Sequence, residues 1–131
     1  MAEETKQAKT LLTAYFDAKY ADMATLTARS FEHQVAPEGK AFLLRERDRR
    51  AIEMDNAGLH NLSYLNANYR LDYDSVELSP DATRATIKLR ESRDVNYAAS
   101  PEITSKMANL EHRFILVKSN GAWKLENDEY R

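Results

Sequence analysis

Leu65-Asn66-Ala67-Asn68-Tyr69-Arg70-Leu71-Asp72-Tyr73-Asp74 decides how this chain folds. Apolar or aromatic residues take every second place and polar residues the places between, the two-residue period of a strand with one buried face. The count slips near Ser75, because Val76 and Leu78 fall on the other parity, which predicts a bulge or sharp bend in one long strand. Ser79-Pro80-Asp81-Ala82 then reads as a turn with proline at its favoured second place. Ala85, Ile87 and Leu89 carry a second strand on towards Val95 and Tyr97, and a polar loop is expected from Ala98 to about Ala108. Leu110 to Lys118 form a third strand, Asn120-Gly121 is a two-residue hairpin signal, and Trp123 and Leu125 lie on a fourth strand.

Upstream of this region the period changes to that of helices. Ala8, Leu11, Leu12, Tyr15, Phe16 and Tyr20 make one apolar stripe from Glu3 to about Ala21, with Glu3 and Glu4 in the first turn where the helix dipole favours acids. Asp22 is expected to cap a short second helix carrying Met23 and Leu26 that fades near Ser30. Pro37-Glu38 opens a third helix through Leu43, Leu44, Ala51, Ile52 and Met54, with Gly58 as its stop.

The chain has 131 residues, enough for one domain spanning 1–131, with helices over about 3–58 and sheet over about 61–127. At 43% hydrophobic residues, with three Gly and three Pro, it can bury an ordinary core. A net charge of −2 argues against nucleic-acid binding through bulk charge. Zero Cys removes disulfides, zinc–cysteine sites and thiol nucleophiles. No apolar run approaches the roughly 20 residues of a membrane helix, and the polar MAEETKQAKT start is no signal peptide. The location of the protein is left open by these features.

Helices followed by a four-stranded antiparallel meander make an α+β domain. Long bent strands imply a curved sheet wrapped around the first helix, which resembles the cone of NTF2-like and cystatin-like folds. Such a fold hosts many functions.

Four residues are candidates for a binding site in the concave face: Tyr69, Tyr73, Glu91 and His112. His112 shares parity with Leu110, Phe114 and Leu116, so it either lines a pocket or is a partly buried histidine bonded to a neighbour. Glu91 shares parity with Ala85, Ile87 and Leu89. Pointing inward it would have a raised pKa and suit acid–base work with Tyr69, Tyr73 or His112. The plainer reading is a rim charge paired with Arg93 or Arg113, where the strand leaves the core. No catalytic residue is assigned, and no metal or cofactor is expected, because His33, His60 and His112 lack ligand spacing. The run Leu44-Arg45-Glu46-Arg47-Asp48-Arg49-Arg50 reads as a solvated helix face with a Glu46–Arg50 pair. Asn61-Leu62-Ser63 matches a glycosylation acceptor, too common a motif to use without secretory context.

Glu111-His112-Arg113-Phe114-Ile115-Leu116-Val117-Lys118, Asn120-Gly121 and Trp123-Lys124-Leu125-Glu126-Asn127-Asp128-Glu129-Tyr130 together resemble the end of the amino-terminal domain in bacterial cell-wall-associated proteins that carry an amidase domain. Leu11-Leu12-Thr13-Ala14-Tyr15-Phe16-Asp17-Ala18-Lys19-Tyr20 is similar to that domain's first helix. The resemblance implies an accessory domain at the cell envelope or outside the cell, its hydrolase residues in another module whose cysteine motif is missing here. The end at Arg131 fits an excised domain, whereas the start without an export signal departs from the family.

The leading expectation is therefore a non-catalytic domain that binds a partner or positions a neighbouring cell-wall hydrolase module or cell-wall component. The alternative is a stand-alone small-ligand binder or enzyme with a Glu/His/Tyr acid–base set in a concave pocket. Homodimerisation through the outer sheet face is a third expectation.

Overall fold

The computed structural model describes residues 2–25, 30–59, 64–97 and 104–130. The first helix, α1, runs without a break from Ala2 to Thr25, and α2 from Lys40 to Leu59. Between them lie short 3₁₀ turns over Ser30–Gln34 and Pro37–Gly39. Four strands follow, β1 Tyr64–Leu78, β2 Arg84–Tyr97, β3 Thr104–Ser119 and β4 Ala122–Asp128, in the antiparallel order β1-β2-β3-β4. The α+β architecture, helices on a four-stranded meander, is the one the sequence predicts.

Two expectations about the helices need correction. Asp22 does not cap a second helix; it lies inside α1, because Ala21, Met23 and Ala24 around it are compatible with helix and no Gly or Pro interrupts the run. Gly58 is likewise inside the last turn of α2, which ends at Leu59. Leu26, His60 and Asn61-Leu62-Ser63 lie outside the described residues.

The core lies between α1 and the inner face of the sheet. Ala8, Leu12, Tyr15, Phe16 and Tyr20 of α1 are buried against Ala85, Ile87 and Leu89 of β2, Phe114 and Leu116 of β3, and Trp123 and Leu125 of β4. Glu4 ties the start of α1 to the far hairpin: its carboxylate accepts from Lys118 Nζ at 2.7 Å and from Trp123 Nε1 at 2.9 Å. Asn120 (φ 54°) and Gly121 (φ 80°) both take the left-handed conformation that a tight β3–β4 turn demands. Ala82 N donates to Ser79 O at 2.9 Å, closing the expected β1–β2 turn.

Four register shifts interrupt the sheet: one lies at the start of β1, between Tyr64 and Asn66, and the other three reset the inward parity around the core. In β1 the register shifts between Tyr73 and Ser75, as the slip near Ser75 predicts, so Tyr73 and Val76 both face inward. In β3 it shifts where Glu91 pairs with Leu110 but Arg93 with Met107, beside Asn109 at φ 55°. The third strand therefore begins at Thr104, and the expected polar loop to Ala108 is in part strand. In β4 the extra residue is Glu126, since Leu116 pairs with Leu125 but Ile115 with Asn127.

The two sheet edges differ. Val35 bridges to Leu125, and Ala36 N donates to Leu125 O at 2.8 Å, so the 3₁₀ segment covers β4. Gly39 permits this docking, because a Cβ there would sit 2.9 Å from the carbonyl oxygens of Leu125 and Glu126. Along β1, Ala67, Tyr69, Leu71, Tyr73, Val76 and Leu78 are only half-buried, whereas their neighbours Ala85, Ile87, Leu89 and Glu91 on β2 are buried.

Candidate functional site

The inner face of the sheet turns polar at one end of the core. Glu91 continues the inward row of Ala85, Ile87 and Leu89, and β3 sets His112 beside Leu89 in register. Asp128 reaches the same place because the Glu126 bulge turns it inward, three residues after the inward Leu125. Tyr20 arrives from α1, one helical turn beyond Phe16.

These side chains form one connected set. His112 Nδ1 lies 2.5 Å from Asp128 Oδ2, and His112 Nε2 lies 2.9 Å from Glu91 Oε1. With a carboxylate at each ring nitrogen, the imidazole is bonded best as the doubly protonated cation. Asp128 Oδ1 accepts the Arg113 N–H at 3.1 Å and the Tyr130 N–H at 3.3 Å. Tyr20 donates its hydroxyl to Glu91 Oε2, and Arg93 Nη1 in turn donates to the Tyr20 oxygen at 3.0 Å. The Phe114 ring stacks on the imidazole, centroids 5.0 Å apart, and Phe16 meets it edge-on at 5.6 Å.

Burial by itself would push the Glu91 carboxyl up. The His112 hydrogen bond, the Lys19 and Arg93 charges and the Tyr20 hydroxyl outweigh it and bring it down to about 2. Burial likewise disfavours the His112 cation, but Asp128 and Glu91 overcome this and raise its pKa above the usual 6.5. Desolvation, and then the charge of Glu91, hold the Tyr20 phenol well above its ordinary range.

The stability consequences have opposite limits. Glu91, depressed in the fold, contributes fully above about 4.5 and loses its contribution as the pH falls towards 2. His112, raised in the fold, contributes fully below about 6.5 and loses it as the pH rises through the raised value. Melting temperature against pH is expected to plateau between these limits and to fall on both sides. The H112Q variant is expected to lose much of the alkaline fall; an unchanged alkaline limb in that variant would disprove the assignment.

Several sequence expectations are corrected by this geometry. Glu91 is not a rim charge; it is 0% exposed, because the strand stays inside through Arg93 and Val95. Its pKa is lowered, not raised. Glu91 and His112 do come together, but Tyr69 and Tyr73 make no hydrogen bond to them. The Tyr69 hydroxyl donates to Asp17 at 2.5 Å, and the Tyr73 hydroxyl is buried with no hydrogen-bond partner among the described residues. Glu46 and Arg50 are buried rather than solvated, and they pair with Arg49 and Glu53 instead of with each other. The set engages both ring nitrogens of His112, and no group of residues among those described is arranged to hold a metal ion. No helix among the described residues is long and apolar enough to cross a membrane.

Away from this set, an open groove of about 720 Å³ runs along α1, lined by Lys6, Lys9, Thr13 and Asp17 and flanked by Tyr73 of β1.

The sequence matches no family model and no curated protein. Solved structures do match its shape. An NTF2-like family protein from Streptomyces avermitilis, a candidate dehydratase, is 11% identical with a TM-score of 0.63, covering 98% of this chain and 95% of that one. The intermembrane space region of the chloroplast protein ARC6 is 20% identical with a TM-score of 0.58, covering 94% of this chain and 92% of that one. A type 2 hexachlorocyclohexane dehydrochlorinase, LinA, is 8% identical with a TM-score of 0.54, covering 98% and 86%. The chain thus has the NTF2-like fold, a cone of helix and curved sheet that carries a dehydrochlorinase in one neighbour and an organelle protein's domain in another.

Proposed function

We propose that this chain is a non-catalytic binding or positioning domain whose cone is closed on its own side chains. The observation that carries this reading is the burial of the acid–base set: Glu91 is 0% and His112 2% exposed. A general base must be within reach of the proton it removes and must release its own partners to act. Glu91 holds its proton only near pH 2, and its two oxygens are engaged by His112 and Tyr20. The stand-alone ligand binder or enzyme needs these same groups to be reachable.

A neighbouring cell-wall hydrolase module of the amidase kind is the partner suggested by residues 11–20 and 111–130. That suggestion rests on resemblance alone, and the same residues have work in the fold. His112 and Asp128 bond each other, Asn120-Gly121 makes the turn, and Trp123 bonds Glu4.

The ring resonances of His112 test the reading. Titrating the protein with small apolar fragments that carry one polar anchor is expected to leave them unmoved, and the ring protons are expected to exchange slowly with water. A fragment that shifts them saturably, and fails to do so in the E91Q variant, would replace this reading with the pocket alternative.

A further inference from the structure

The outer sheet face, expected as a dimer surface, is laced with charged pairs: Arg84–Glu126 at 3.0 Å, Arg90–Asp74 at 3.2 Å and Arg113–Glu129 at 3.1 Å. Such a face differs from the apolar interface of a permanent dimer. The edge of β1 is different. It belongs to a 15-residue strand with no backbone partner on its open side among the described residues. A long open edge is a template for another strand.

We propose that two copies of this chain join edge to edge through β1, about a two-fold axis at Leu71, into one continuous eight-stranded sheet. In an antiparallel pairing centred on Leu71, each residue meets the one equally far on the other side. Arg70 of one copy then faces Asp72 of the other, twice, and Tyr69 faces Tyr73, twice. Arg70 and Asp72 already lie on one face, 3.2 Å apart within the chain and open to solvent. A self-complementary patch of this kind is what a two-fold interface requires.

The groove beside β1 obeys the same symmetry independently. Asp17 sits at Tyr69, whose hydroxyl it accepts, and the Lys9 ammonium sits 4.6 Å from the Tyr73 ring centroid. Bringing Tyr69 against Tyr73 of the second copy therefore brings Asp17 towards Lys9. Lys6 and Lys9 have no carboxylate partner among the described residues. Closure of this seam also covers Tyr69, Leu71 and Tyr73, which the single chain leaves half-buried.

Molar mass by light scattering or sedimentation over a range of concentrations tests the proposal. The wild-type chain is expected to show a monomer–dimer equilibrium. R70D and D72R each set like charges face to face at two related positions, so each alone is expected to dimerise about tenfold more weakly or worse. An equimolar mixture of the two is expected to regain the dimer, because unlike charges then meet at both positions. Circular dichroism separates misfolding from dissociation, and the mixture rescues only folded chains. A wild-type chain that stays monomeric at the highest concentration overturns the proposal. So does a dimer that neither substitution weakens, or a mixture that does not re-form one. A closed interior and a failed dimer would leave the binding-domain reading intact, since His112 reports on the interior alone.

Discussion

Replacing His112 with alanine is expected to cost the fold about 3–5 kcal/mol, the usual penalty when one member of a buried ionic set is removed. The reason lies in what remains. Glu91 and Asp128 would face a void with no cation between them, and Glu91 would keep only Tyr20, Arg93 and the field of Lys19. In a domain of this size the melting temperature should fall by about ten degrees or more. The double variant E91Q/H112A is expected to cost less than the sum of the two single changes, because the neutral amide no longer needs the imidazolium. Urea unfolding of the four proteins checks both statements. Strict additivity, or an H112A loss within experimental scatter, would mean that the set does not act as a unit.

The Phe114→Ala change is expected to cost a similar about 3–5 kcal/mol through a different cause, the cavity left by a fully buried ring. Phe114 is 0% exposed and meets Tyr15 at 5.9 Å and Phe16 at 5.8 Å, both edge-on. It also stacks on the His112 ring, so its loss removes the wall that holds the imidazole between its two carboxylates. The variant should therefore show a smaller alkaline loss of stability than the wild type, besides a lower melting temperature at every pH. A stability loss with an unaltered pH profile would show that the ring packs without orienting the histidine. Phe114→Leu, which refills most of the space, should recover much of the stability.

The parts of this architecture that could be read from the residues are those governed by local period. Leu65 to Asp74 alternates cleanly, and the slip near Ser75 marks a bulge because both sides of it are apolar. Asn120-Gly121 encodes its turn in two residues. The site was half legible: the inward parity of Glu91 and His112 follows from their strands, so their meeting is written in the sequence. Asp128 is not written there, since simple alternation from Trp123 and Leu125 points Asn127 inward, and only the Glu126 bulge reverses it. Tyr20 looks like one more aromatic of the α1 stripe, and nothing local tells that its hydroxyl meets a carboxylate 71 residues away. Parity alone leaves Glu91 between an inward carboxylate and a rim charge, because the cations that make its burial tolerable, Lys19 and Arg93, come from separate elements.

The link between Glu4 and the Lys118–Trp123 hairpin has a consequence for how the protein is made. α1 leaves the ribosome before any strand of the sheet, yet the residues that cover Leu12, Phe16 and Tyr20 include Phe114, Leu116, Trp123 and Leu125 from the last two strands. At about 5–20 residues per second, the apolar side of that helix waits several seconds for its partners. During that interval the nascent chain has an unsatisfied hydrophobic stripe and no sheet to receive it. Chaperone engagement should therefore begin early and end only when the β3–β4 hairpin emerges, which makes emergence of that hairpin, rather than helix formation, the event that commits this domain to its fold.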